Sequence, residues 1–376
     1  MKTKGKIITS VFCLLLASLV ISGAALPDKY YSESEKRTLT QIGSIKIADF
    51  FAGKMGDEVE KYLADQVPLR DGFVTVKTLC ERLSGKTEIS GVYFGKDGYL
   101  IDSFTEYDGE NFKKNIASLV NLSGLMKGKN IPTRVMLVPT SAEILSDKLP
   151  SYAPNISQKS LLEYAKAAGL DTVDVFDILS EHKDDYIYYK TDHHFTSLGA
   201  YYCYAAWMSA HGKTADSLSE WQSEELCDNF RGTTYNKVNY PLAPYDSITA
   251  YYKSKTHNVS YNGGNYVTDS IYERKYLDGK DQYAAFLNSN QTETVVKGDG
   301  EGKLLILKDS YANCFAQFVI DDYAETHLID LRFYRGSTST LADYIEENGI
   351  TEILVLYNIP NFTKDTAVTK VLGSDR

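Results

Sequence analysis

The sequence contains no CxxC pair, no Cys/His spacing that suits a metal, no long basic cluster, no internal repeat and no low-complexity segment. Its five cysteines, Cys13, Cys80, Cys203, Cys227 and Cys314, are too few and too scattered over 376 residues for a disulfide framework. Outside the N-terminal apolar run, Cys80, Cys203, Cys227 and Cys314 read as buried free thiols, with room for one bridge that spacing cannot pair. A net charge of −10 without a basic patch argues against nucleic acid as a partner. What is present is an ordinary globular balance, 43% hydrophobic and 24% charged, in a chain long enough for about two domains.

The N-terminus carries an address. Lys2, Lys4 and Lys6 precede an uncharged apolar run from Ile7 to Leu26, with small residues Ser22, Gly23, Ala24 and Ala25 at its end. A positive n-region, an apolar stretch and a candidate cleavage site read as a signal peptide. The same run is long enough to span a bilayer uncleaved. A buried helix of a soluble protein is the third reading. Both export readings, cleaved signal and retained anchor over residues 1–26, place the rest of the chain outside the cytoplasmic membrane. Cys13 lies too early, without small residues ahead of it, to be a lipoprotein cysteine.

Residues 28 to about 45 are polar (Ser32-Glu33-Ser34-Glu35-Lys36-Arg37), an extended leader. Apolar residues at helical spacing between Ile47 and Leu83, around Phe50, Val59, Tyr62, Leu63, Phe73, Val76 and Leu79, predict two helices joined at Pro68. Asp65, Arg70 and Asp71 at that joint read as a salt-bridged corner or as functional groups. Val92–Gly95 and Tyr99–Ile101 around Lys96-Asp97-Gly98 predict a hairpin. Beyond it the rhythm becomes strand and helix in alternation, with strands at Arg134–Val138, Thr172–Phe176, Lys303–Leu307, Thr326–Leu331 and Glu352–Tyr357. Such a series predicts an α/β domain over 104–376: a parallel sheet with helices on both faces, following an N-terminal helical and hairpin region over 27–103. Ligands of these sheets bind beyond the carboxyl ends of the strands, which here lead into Pro139-Thr140-Ser141, Asp177, Ser310, Arg332 and Asn358. Residues 228–300 are β-rich and crowded with tyrosine (Tyr235, Tyr240, Tyr245, Tyr251, Tyr252, Tyr261, Tyr266, Tyr272, Tyr276, Tyr283). They read as an insertion packed over or beside the sheet, its tyrosines building a small core or stacking on sugar rings.

Two stretches carry chemistry. Thr191-Asp192-His193-His194-Phe195 precedes a helix that starts at Thr196 or Ser197 and runs through Leu198, Tyr201, Tyr202, Ala205 and Met208 to about His211. Lys308-Asp309-Ser310 follows Leu304-Leu305-Ile306-Leu307. A serine hydroxyl becomes a nucleophile when a histidine takes its proton, and the histidine needs a carboxylate to fix its tautomer. Asp192, His194 and Ser310 are the candidate orienter, base and nucleophile. At a strand-to-helix turn the free N–H groups of the helix start suit an oxyanion. Asn358 and Arg332 are candidates to donate to it or to hold substrate, and Tyr311 is a further candidate beside Ser310. The plainer alternatives are that Asp309-Ser310 and Asp192 are helix caps and that Asn358 is a turn residue. His193 reads as structural.

The Asp192-His193-His194-Phe195 run with Gly199 resembles the signature of the DHHW family of exported Gram-positive proteins. That family is similar to the periplasmic alginate O-acetyltransferases, whose SGNH-hydrolase-like, flavodoxin-like three-layer domain is circularly permuted. The Asp/His block preceding the Ser block matches the permuted order. Ser32–Arg37, Asp65–Asp71 and Val92–Gly95 resemble the family as well. The sequence departs from the pattern at Phe195, where the family has tryptophan, at Lys308, where glycine precedes Asp-Ser, and around Asn358, which lacks the Gly-x-Asn-Asp context. The resemblance implies an extracytoplasmic O-acetyltransferase or acetylesterase acting on a cell-surface polysaccharide. It implies no cofactor and no metal, and a membrane-bound O-acyltransferase as the partner that supplies acetyl groups. The competing reading is a non-catalytic exopolysaccharide-binding or secretion-scaffold protein. A metal site like that of the DHH phosphoesterases would need further Asp-containing blocks upstream, which the sequence lacks.

Overall fold

The computed structural model describes residues 2–32, 37–44, 55–254 and 256–373. Glu33–Lys36 and Phe50, named above in the leader and the first apolar stripe, lie outside these residues. The chain divides into two compact units, Met1–Ser90 with Tyr235–Leu242, and Gly91–Thr234 with Ala243–Arg376.

In the first unit, helix α1 (Lys2–Ala25) holds a 20-residue stretch, Lys4–Gly23, long and apolar enough to cross a membrane. Helices α2 (Met55–Gln66) and α3 (Arg70–Leu83) are separated at Pro68, as expected. At their joint the Asp65 carboxylate accepts the Thr40 N–H at 2.8 Å, and Arg70 Nε donates to the Ala64 carbonyl at 3.1 Å. The Thr78 hydroxyl donates to the Val238 carbonyl at 2.6 Å, tying the returning segment to α3.

The second unit begins with the predicted hairpin, β1 (Val92–Phe94) and β2 (Leu100–Asp102), paired antiparallel around Asp97 and Gly98 at positive φ. Helix α4 (Gly109–Gly128), capped by the Asp108 carboxylate, leads to β3 (Thr133–Val138) and then α5 (Gln158–Ala167). The strand expected at Thr172–Phe176 reduces to one bridge, Thr172 to Val135. The Asp174 carboxylate accepts the Phe176 N–H and starts a short helix, Phe176–Glu181, so local capping ends the extended run. Helix α6 (Ser197–Ala210) follows, then a two-stranded antiparallel pair, β4 (Gln222–Phe230) and β5 (Asp246–Tyr252).

The remaining strands complete one seven-stranded sheet. They are β6 (Asn258–Tyr261), β7 (Tyr266–Thr268), β8 (Glu293–Lys297), β9 (Lys303–Lys308), β10 (Glu325–Asp330) and β11 (Glu352–Asn358), in the spatial order β7-β6-β8-β10-β9-β11-β3. The four strands β10, β9, β11 and β3 are parallel. The Tyr-rich insertion does not simply lie over or beside the sheet. It adds β6, β7 and β8 antiparallel along the β10 edge, so the sheet is mixed rather than wholly parallel. Short reversals allow this pairing, whereas parallel neighbours need crossovers. Gly263 and Gly264, both at positive φ, make the β6–β7 reversal.

Side chains alternate between two cores, which is why the central strands are apolar at every position. Leu304, Ile306, Leu354 and Leu356 face one core with Trp207 and Tyr204 of α6 and with Phe315 and Phe318 of helix α7 (Tyr311–Val319). Leu305, Leu307, Ile353 and Val355 face the other, with Phe112, Ile116 and Leu119 of α4, Leu161 of α5, and Leu341 and Ile345 of helix α8 (Thr338–Glu347). Helices therefore cover both faces of an α/β sheet. The parallel strands deliver Ser310 and Asn358 at their carboxyl ends.

Candidate active site

Asp192 and His194 sit on a tight reversal in which Tyr188 pairs with Phe195 and the Thr196 N–H donates to the Ile187 carbonyl at 2.9 Å. Thr196 caps α6 by accepting the Gly199 N–H, so Asp192 is not the cap. Gly199 is required for closeness: a Cβ there would fall 2.3 Å from the Ile187 carbonyl oxygen. From β5, Asp246 grips the same loop. It accepts the Lys190 and Thr191 N–H groups at 2.9 and 2.8 Å and the Thr191 hydroxyl at 2.5 Å.

Ser310 occupies the turn from β9 into α7 in helical conformation, φ −66° and ψ −16°, and its hydroxyl makes no cap bond. Asp309 takes that role, accepting the Tyr311 N–H at 2.9 Å. The Ser310 hydroxyl is thereby free for another partner, and Oγ lies 2.8 Å from His194 Nε2. His194 Nδ1 is 2.5 Å from Asp192 Oδ1, which also accepts the His194 N–H at 2.9 Å. An imidazole that donates from Nδ1 to a carboxylate carries its lone pair at Nε2, aimed at the serine hydroxyl. The loop and the turn, 116 positions apart, form one Ser–His–Asp relay.

The electrostatics suit proton transfer. Burial opposes charge on Asp192, yet His194, His193 and the hydrogen bonds hold its carboxyl well below the usual carboxylate range. That direction follows from the Thr233 N–H at 2.7 Å and hydroxyl at 2.9 Å, whose bonds act whether or not either imidazole is charged. Burial, and then the neighbouring His193, push the His194 imidazole down to about 4, and Asp192 offsets only part of this. The His194 imidazole is thus neutral at neutral pH. His193 Nδ1 lies 2.6 Å from Thr233 Oγ1. Since that hydroxyl donates its one proton to Asp192, His193 donates to Thr233.

A family model described as DHHW protein matches residues 90–329. The chain belongs to the DHHW family. Among solved structures, a DHHW family protein from Eubacterium siraeum DSM 15702 is 24% identical, with 75% of this chain and 96% of that one covered at a TM-score of 0.64. Bacillus cereus PatB1 is 21% identical, with 72% and 97% covered at 0.62. PatB1 with a sulfonyl adduct is 20% identical, with 73% and 98% covered at 0.59. These likenesses establish the shared fold. No curated protein matches the sequence.

In this DHHW protein, Phe195 packs its ring edge-to-face on Tyr311 at 4.7 Å. The Tyr311 hydroxyl donates to the His193 carbonyl, so this residue ties turn to loop from within the core. Asn358 donates its side-chain amide to Asp309 Oδ2 at 2.8 Å, while its Oδ1 accepts the Asn361 N–H at 2.9 Å and caps the helix Ile359–Lys364. It supports the Ser310 turn through Asp309. Arg332 is bidentate to Asp330, at 2.9 Å from Nε and 2.5 Å from Nη2, and its positive charge bears on both His194 and Asp309. Lys308 is buried. Its ammonium donates to Asn313 at 2.7 Å and lies 4.0 Å from Asp330, and burial brings its pKa down to about 8.

The amide N–H of Ser310 has no acceptor among the described residues at the start of α7. Asp192, His193 and His194 also bring three potential metal-ligand atoms within 4.8 Å of one another. The Asp192 and His194 atoms are already spent on hydrogen bonds to each other, to Thr233 and to Ser310.

Three partners went unforeseen. Thr233 clamps Asp192, and Gly232 makes that approach possible. Asp246 fixes the loop. Tyr283, one of the many tyrosines of the insertion, stacks face to face on His194 with centroids 3.7 Å apart and an angle of 11°. Gly232, two residues past β4 and just before Thr233, is the local hint.

Proposed function

We propose that this DHHW protein is an extracytoplasmic O-acetyltransferase or acetylesterase of a cell-surface polysaccharide, with Ser310 as nucleophile, His194 as base and Asp192 as orienter. The observation that carries the reading is the Ser310–His194–Asp192 hydrogen-bond relay, 2.8 and 2.5 Å long. His194 Nε2 takes the hydroxyl proton as Oγ forms a bond to the acetyl carbonyl carbon. The tetrahedral oxyanion is met by the Ser310 N–H, with the Arg332 charge nearby. His194 then returns the proton to the leaving group as the carbon–leaving-group bond breaks, giving acetyl-Ser310. A sugar hydroxyl or water, deprotonated in turn by His194, attacks that ester, and as the acetyl–Oγ bond breaks His194 returns the proton to Ser310 Oγ. The choice of acceptor separates transferase from esterase.

The solved PatB1 carrying a sulfonyl adduct supports an electrophile-reactive residue in this fold. The apolar α1 supports export, with residues 1–26 as signal or anchor, 27–103 as an N-terminal region and 104–376 as a permuted SGNH-hydrolase-like domain. Outside the membrane no acetyl-coenzyme is at hand, so the donor is handed across by a membrane-bound O-acyltransferase, as in the relatives the sequence resembles.

The test uses the full chain in detergent. Sulfonyl fluoride labelling of Ser310 and hydrolysis of a chromogenic acetyl ester are expected in the wild type, and both are expected to vanish in Ser310→Ala and His194→Ala. Undiminished turnover in either variant would remove the relay from the reaction. Glycan binding with no labelling and no turnover would leave the non-catalytic binding or scaffold role.

A further inference from the structure

The insertion contributes more to the site than strands. Tyr283 lies in the 3-10 turn Gln282–Ala285, between β7 and β8. Its ring covers one face of the His194 imidazole at 3.7 Å, almost parallel. Its hydroxyl donates to the Ser310 carbonyl at 3.1 Å. The residue therefore touches both partners of the proposed proton transfer, the base through its ring and the nucleophile turn through its hydroxyl. It is itself fixed. Tyr189 meets it edge-on at 6.4 Å and Phe286 at a tilt at 5.3 Å, while Gln282 Nε2 donates to Asn229 at 2.7 Å and to the Leu277 carbonyl at 2.9 Å. The chain leaves this turn through Leu287, Asn288 and Ser289, three consecutive residues at φ 53°, 54° and 68°. Side chains rarely adopt that conformation, and only a firmly held surrounding structure maintains it.

A π face against an imidazole favours its protonated form, because the ring's negative face attracts the cation. His194 is neutral at rest and becomes an imidazolium only when it takes the Ser310 proton. The stacked ring thus stabilises the state in which charge has moved, more than the resting state, which is the condition for raising kcat. The hydroxyl bond keeps the Ser310 backbone, and with it Oγ, in line with Nε2.

We infer that Tyr283 is a positioning residue of the site, holding His194 and Ser310 in register and favouring the imidazolium. This inference rests on the relay reading above. It makes the insertion part of the working site and not only an extension of the sheet.

The experiment measures ester hydrolysis against pH for the full chain in detergent, in wild type, Tyr283→Phe and Tyr283→Leu. Leucine keeps an apolar cover and removes the π face and the hydroxyl. It is expected to lower kcat about tenfold, leave KM within about twofold, and move the acid limb of the profile to lower pH. Phenylalanine keeps the face and loses one bond, so kcat should fall about threefold with the limb unmoved. A purely structural role would alter the amount of folded enzyme without moving the limb. Wild-type kcat and an unmoved limb in Tyr283→Leu would overturn the proposal. If that variant does not fold, Tyr283→Phe decides, with wild-type kcat overturning the role. Absence of turnover in the wild type would instead sink the functional reading, and this inference with it.

Discussion

Asp192 fills the space in which Gly232 would carry a side chain: a Cβ on that glycine would lie 2.1 Å from Asp192 Oδ2 and 2.3 Å from its Cβ. The following residue, Thr233, donates its N–H and hydroxyl to the same oxygen. Close approach and clamp are one device, and they set the carboxylate that sets the imidazole. Gly232→Ala must push Asp192 away or break the clamp. A misplacement of about 1 Å is expected to lower acetyl-ester kcat about 100-fold, with KM little changed. Kinetics of the purified variant check this, and kcat within about twofold of wild type would deny the clamp its role.

Asp192→Asn probes the tautomer. The amide keeps the shape but can present N–H toward Nδ1, so His194 would carry its proton on Nε2 and could not accept from Ser310. Turnover should fall by about 10⁴-fold, while thermal melting stays near wild type. The pairing of those two measurements separates a chemical loss from an unfolded protein.

The acid limit of the reaction follows from burial of His194. Its pKa is pushed down to about 4, so Nε2 is a free acceptor above that value and is blocked by a proton below it. Activity should persist as pH falls through 6.5, the usual histidine value, and be lost only on approach to about 4. A kcat/KM profile against pH reads this directly. A limb near 6.5 would place His194 in water.

Behind the Ser310 turn, Asp330 is buried between two cations, bidentate to Arg332 and 4.0 Å from Lys308. Removing it in Asp330→Ala leaves positive charge in a low dielectric. The expected loss is about 3–5 kcal/mol of stability, measured by chemical denaturation. The change is expected to lower Lys308 further, since Asp330 is what holds its pKa up against burial.

Dialysis against a chelator tests the Asp-His-His cluster. The Asp192 and His194 ligand atoms are engaged with each other, Thr233 and Ser310, so ester turnover should be unchanged. Loss of turnover that zinc or manganese restores would turn the cluster into a metal site.

Much of the frame was legible because its causes are local. The apolar runs at Leu304–Leu307 and Ile353–Leu356 announce strands buried on both faces, and the Thr196 cap and Pro68 break mark helix limits. The Asp192-x-His194 spacing exposed the carboxylate–imidazole pair because both groups share one loop. The strand expected at Thr172–Phe176 failed because Asp174 captured the Phe176 N–H, a competition within three residues that strand propensity does not weigh.

What this chain's sequence determined alone is most of its strands, helices and turns, and which two stretches carry the carboxylate, the imidazole and the hydroxyl. Tertiary structure decided that the insertion would join the sheet edge antiparallel, that Thr233 would clamp Asp192, and that one tyrosine among many would stack on His194. The physical reason is distance along the chain. Caps and side-chain periods act within a few residues. The Tyr283 ring reaches His194, and the Ser310 hydroxyl reaches the same imidazole across 116 positions, only because a twisted sheet and its packed faces leave those groups no other place.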